Sequence, residues 1–194
     1  PNQDNSLSAF LGAFAGRWDG PHYLFIAQTG YVTTGIERLF IVFPPFYPLV
    51  IKMTNLFFQN LLFTAVIVSN LFFVLACLTF YKLLRLDYSE DFSFSVIFLL
   101  SFFPTSYFFS TSYAESLFLF LFCASFLFIR KNRFWKSSLL AGLLTLTKPF
   151  GMIIWPVLLI EWFKSSKRSW SNMIIILSLM GISCGIYLSL NYFL

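Results

Sequence analysis

A chain of 194 residues that is 58% apolar and 11% charged, with a mean hydropathy of +0.78, lies outside the range of soluble globular domains. Its 28 phenylalanines suit lipid, where apolar surface needs no aqueous covering. The net charge of +5 sits in short loops between apolar runs, a pattern that reports orientation in a bilayer and excludes a nucleic-acid partner. Cys77, Cys123 and Cys184 all lie inside apolar runs, which argues against a disulfide framework or a zinc site.

Residues 1 to about 38 form the one extended polar region and are expected to hold short helices in a loop. Within it, Gly16-Arg17-Trp18-Asp19-Gly20-Pro21-His22-Tyr23 gathers a cation, an acid, an imidazole and two aromatics. Phe43-Pro44-Pro45-Phe46-Tyr47-Pro48 follows, and its prolines argue against a regular helix. Aromatics beside prolines suit a segment at the bilayer interface. Spans are expected over about 56–84, 92–109 (broken near Pro104), 113–129 and 172–194. The chain thus divides into an external segment, 1–55, and a helical bundle, 56–194. It begins on Pro1 and ends inside an apolar run at Leu194, so it reads as a fragment, with one further span expected upstream of Asp4.

Charge fixes the expected orientation. Of the 13 Lys and Arg residues, nine fall in three loops: Lys82 and Arg85; Arg130, Lys131, Arg133 and Lys136; Lys164, Lys167 and Arg168. The positive-inside rule makes all three loops cytoplasmic and the N-terminal segment external. The apolar region 137–163 then has basic flanks on both sides, yet its 27 residues are too few for two spans of about 20 each. Thr147-Lys148-Pro149-Phe150-Gly151 interrupts it. The pattern predicts two half-helices, 137–146 and 149–163, with the junction turned outward. One kinked span with a misplaced basic loop is the alternative. Arg17, Arg38, Lys52 and Lys148 remain for the external side, with the acids Asp4, Asp19, Glu37 and Glu115.

Each candidate also has a plainer reading. Asp19 ahead of Gly20-Pro21 fits a helix N-cap as well as a catalytic carboxylate. Ser112-Tyr113-Ala114-Glu115 fits a Ser-x-x-Glu capping box. His22 has no second His or Cys near it, so it points to a polar contact rather than a metal site. Lys148 lies inside an apolar region, where an ammonium is costly unless it faces a cavity or a partner. With Pro149 opening a half-helix behind it, the pair forms an anion site suited to phosphate; a snorkelling lysine is the plainer reading. No metal site is indicated, although a divalent ion is compatible with such chemistry.

The stretch Arg17 to Tyr31 resembles the first luminal loop of the PIG-V family, which comprises the second GPI mannosyltransferase and its prokaryotic relatives. Glu37 followed by Phe43-Pro44-Pro45-Phe46-Tyr47-Pro48 resembles the family's acid-then-FPxYP continuation. Phe103-Pro104 with Tyr113-Ala114-Glu115-Ser116-Leu117-Phe118 resembles its FP…YSESLF element. Gly142 to Gly151 resembles its GLLxxLTRxxG element, with Lys148 where Arg is common. The resemblance implies an all-α polytopic integral membrane protein with a GT-C-like helical bundle, an external N-terminal loop bearing short helices, and a broken half-helix pair. It implies a glycosyltransferase, a mannosyltransferase in particular, that uses a polyprenyl-phosphate sugar as donor and a glycan, lipid or protein hydroxyl as acceptor, with inversion. Asp19 takes the role of catalytic base under this reading. Arg17, His22, Glu37, Arg38, Glu115 and Lys148 are expected to bind substrate or donor phosphate. The expected location is the plasma membrane in a prokaryote, where a GPI precursor is not the acceptor, or the endoplasmic reticulum membrane in a eukaryote. The rivals are a transporter or flippase of phosphate-bearing lipid and a non-catalytic assembly subunit.

Overall fold

Prolines, glycines and small polar residues decide where each apolar run starts and stops. The structure, a computed structural model, describes residues 12–14, 16–166 and 168–193; Asp4 and Lys167 lie outside these. Helix α1 (Gly20–Thr29) ends at Gly30, whose φ of 88° is open to glycine, and a 3-10 helix spans Ile36–Val42. Helix α2 (Phe46–Phe58) follows at a sharp bend of 106°. The expectation that the prolines forbid a helix here is wrong. Pro45 stands at the N-cap and Pro48 in the first turn, where a backbone N–H has no intrahelical acceptor to lose. Phe46 N–H is instead donated across the molecule to the Leu146 carbonyl, at 2.9 Å.

The expected span over 56–84 is also two pieces. Gln59 turns left-handed (φ 53°) to end α2, and Asn60 caps α3 (Leu61–Leu84) by accepting from Phe63 N–H at 3.0 Å. Helix α4 (Glu90–Phe102) is capped by Ser89 and breaks at Pro104, as the proline predicts, into a 3-10 turn and the short α5 (Tyr107–Ser110) at 68°. Helix α6 covers Glu115–Arg130 and α7 Phe134–Thr145. After the predicted break at Lys148, a 3-10 segment (Pro149–Ile153) leads into α8 (Ile154–Lys164). Helix α9 (Trp170–Phe193) closes the order. No strand occurs among the described residues, and the chain is an all-helical membrane protein.

Two helices, Leu61–Leu84 and Trp170–Leu190, are each long and apolar enough to cross a membrane. The number rises to four if each bent pair, Ile36–Val42 with Phe46–Phe58 and Glu90–Phe102 with Pro104–Ser110, is one span. Helix α6, at 16 residues, is shorter than the roughly 20 a full crossing takes. It is the centre of the bundle, packed between α3 and α7, with α9 on the far side of α7. Fully buried Ala65, Ser69 and Ala76 on α3 and Ser116 on α6 let these backbones approach closely. Ser69 also answers buried polar groups, with Tyr47 Oη at 2.8 Å and the Tyr113 carbonyl at 3.2 Å.

The bundle has two chemically different ends. At one, Arg130 makes a bidentate pair with Asp87 (2.7 Å each) and Ser165 Oγ donates to Asn132 Oδ1 at 2.9 Å, drawing the three basic loops together. The Arg130 guanidinium holds the exposed Asp87 carboxyl below its ordinary range. Helix α6 then runs to the other end, where the N-terminal loop, Glu115 and Lys148 meet. Gly151 packs the α7–α8 junction there: a Cβ on it would run into the Leu144 carbonyl and lie 2.8 Å from Thr145 N. Gly151→Ala is expected to cost about 2 kcal/mol through this overpacking, read as a lower unfolding midpoint of the detergent-solubilised protein.

Candidate functional site

Asp19 stands at the N-cap position of α1 but does not act as a cap. Its backbone is helical (φ −74°, ψ −20°) and its side chain makes no cap hydrogen bond. Pro21 removes one orphan donor, and the Asp19 main-chain carbonyl itself accepts from His22 N–H and Tyr23 N–H at 3.1 and 3.2 Å. The helix start is therefore built without the carboxylate, which stays exposed.

Contacts made some ninety residues later hold this loop in place. Tyr113, in the turn before α6, donates its hydroxyl to the Arg17 carbonyl at 2.7 Å, and Tyr107 donates to the Phe14 carbonyl. Trp18 stacks on Phe108 with ring centres 5.7 Å apart. Tyr113→Phe removes the Arg17 contact, worth about 1 kcal/mol. Trypsin is expected to cut faster after Arg17 in that variant, because the loop is no longer tied to the turn before α6. Burial first, then the nearby Tyr107, Asp19 and Glu115, push the Tyr113 hydroxyl up to about 12. The folded protein thus holds this proton more tightly than the unfolded chain does. The contact is complete below pH 10, and its stability is lost as pH rises from 10 toward about 12.

Tyr23, one turn beyond Asp19, is raised as well, by burial first and then by the charges of Glu115 and Asp19. Both carboxylates thus raise the same pair of tyrosines, Tyr23 and Tyr113. Glu115 opens α6, but the capping box expected around it does not form. Ala114 is the N-cap, with no side-chain cap bond, and Glu115 reaches Lys148 instead, with Oε1 2.5 Å from Nζ. Lys148, expected to face a cavity or a partner and to form an anion site, has a partner in Glu115, and each side chain is about a quarter exposed. Glu115 Oε2 is buried without a hydrogen-bond partner. The half-helix expected to start at Pro149 opens as a 3-10 turn, so Lys148 supplies the positive charge at this junction without a full helix dipole behind it.

Among the described residues, none of the other expected residues makes a hydrogen bond or ion pair with Glu115 or Lys148. The half-buried His22 ring packs against Phe40 and Phe43, with centres 4.3 and 5.2 Å away, which makes it a contact to the neighbouring 3-10 segment. Glu37 folds over Gly35 in the first turn of that segment, and Arg38 beside it is exposed. Among the described residues, Arg17, Glu37 and Arg38 form no ion pair, and no group of three or more His, Cys, Asp or Glu residues comes together to hold a metal ion. Sequence reasoning missed Tyr23 and Tyr113. The position of Tyr23, four residues after Asp19 on a helix, is the one local signal that could have found it.

The profile described as "Glycosyltransferase family 87" matches residues 40–188, a range that holds Glu115 and Lys148 and begins after the Asp19 loop. The chain is 32% identical over 163 residues to the GPI alpha-1,6-mannosyltransferase 2 of Cricetulus griseus and 31% identical to that of Rattus norvegicus. In both cases the match takes in 77% of this chain and 32% of the relative, so the chain spans about a third of the length of these proteins. No solved structure matches.

Proposed function

Because the chain belongs to glycosyltransferase family 87, we propose that it forms part of a membrane mannosyltransferase of GT-C type that uses a polyprenyl-phosphate sugar as donor. The observation that carries this reading is the exposed, uncapped Asp19 carboxylate, held on a docked loop at the same end of the bundle as Glu115 and Lys148. Asp19 accepts the proton of the acceptor hydroxyl as the acceptor oxygen bonds to the anomeric carbon. The bond from that carbon to the phosphate oxygen breaks with its electron pair, and the configuration inverts. Lys148 stabilises the departing polyprenyl phosphate. Its ammonium has three N–H donors, and the one directed at Glu115 leaves two for phosphate. Glu115 orients Lys148 through its Oε1, which accepts from the ammonium. Arg17 and Arg38 add positive charge, while His22 and Glu37 line the approach. The basic loops face the cytoplasm, which puts this end on the external or luminal side.

The test is transfer by the full-length protein in proteoliposomes, given a panel of polyprenyl-phosphate hexoses with a labelled saccharide acceptor. Product with inverted configuration is expected from a mannosyl donor. Donor movement across the bilayer without any product would establish the flippase reading in its place.

A further inference from the structure

We propose that Trp18 is the platform on which the acceptor's sugar ring stacks while Asp19 takes its proton; the inference rests on Asp19 acting as base. Trp18 has a φ of 49°, a left-handed backbone that bulky side chains disfavour, although Gly16 and Gly20 nearby would adopt it freely. Trp18 is 68% exposed as a residue. Phe108 backs it at 5.7 Å and 29°, and Phe108 is itself braced edge-on by Tyr107 and Tyr113, at 5.6 and 5.4 Å. A tryptophan serving the core would be buried, whereas this ring is supported from behind and open in front. A pyranose carries an apolar face of C–H groups polarised by its oxygens, which matches the negative face of an indole. The next residue in the chain is the exposed Asp19. In the proposed stacking, the hydroxyls of a ring on Trp18 come within reach of this neighbouring carboxylate. Anchoring in the bilayer interface is the competing role for an exposed tryptophan.

The two roles separate by the shape of the replacement. Leu keeps the apolar character an anchor needs but lacks a flat π face, and Phe keeps both. Full-length protein in proteoliposomes is assayed with an octyl hexopyranoside acceptor. Trp18→Leu is expected to raise the acceptor KM about tenfold or more, and Trp18→Phe about threefold at most, with the donor KM unchanged in both. Equal responses to Leu and Phe, or no change in acceptor KM, would overturn the platform while leaving the glycosyltransferase reading intact. A wild type that transfers from no donor overturns that reading and this inference with it. Should Trp18→Leu fail to insert, the inactive Asp19→Asn protein decides the matter. Its tryptophan emission must shift with acceptor, and the shift must vanish in Trp18→Phe/Asp19→Asn; an unchanged response overturns the platform.

Discussion

Asp19→Asn is expected to lower kcat about 10²- to 10⁴-fold, the range that a positioned general base contributes, while the protein inserts and unfolds as the wild type does. The separation of activity from stability is the informative part. An Asp that capped α1 would lose about 1 kcal/mol or less on conversion to Asn, itself a good cap, and would show little kinetic effect. Here the carboxylate makes no cap bond, and the loop is held through the Arg17 carbonyl, the Trp18 ring and the Phe14 carbonyl, none of which the substitution touches. The KM for the donor should move little, since the base acts on the acceptor. Near-wild-type turnover in Asp19→Asn would remove Asp19 from the chemistry.

Lys148→Met is expected to act on both activity and stability, and a second substitution separates the two. Removing the ammonium leaves Glu115 with one oxygen newly unpaired and the other already buried without a partner. Breaking a fully buried pair costs 3–5 kcal/mol; with about a quarter of each side chain exposed, a loss of about 2 kcal/mol is expected. Converting both partners, Glu115→Gln with Lys148→Met, removes the uncompensated charge and should return most of that stability. Transfer should stay depressed about 10²-fold or more in the double variant, because the leaving phosphate has lost its cation. Lys148→Arg should retain much of the activity. A double variant that regained both stability and transfer would make the pair purely structural.

Much of this could be read from local chemistry. Pro104 and the Lys148-Pro149 step stand at the observed helix breaks, because a proline removes an N–H donor and restricts the preceding residue. The same rule misled at Pro44, Pro45 and Pro48. Position within the helix matters more than proline count, and α2 places its prolines where donors are orphaned anyway. Capping was misjudged for a related reason. Asp19 and Ser112-x-x-Glu115 satisfy the local patterns, yet a cap is one of several partners a carboxylate can take, and the choice depends on what the rest of the chain brings near.

By itself the sequence determined the membrane class, the main helix breaks and the segregation of basic loops from Asp19, Glu115 and Lys148. Those follow from hydropathy, backbone chemistry and the cost of desolvating charge, all of which act residue by residue. Only the tertiary structure decided that Glu115 pairs with Lys148 across 33 positions and that Tyr113 holds the Arg17 carbonyl across 96. Such pairings depend on α6 packing between α3 and α7, which brings distant ends of the chain within hydrogen-bond reach. No spacing rule encodes a contact that packing alone creates.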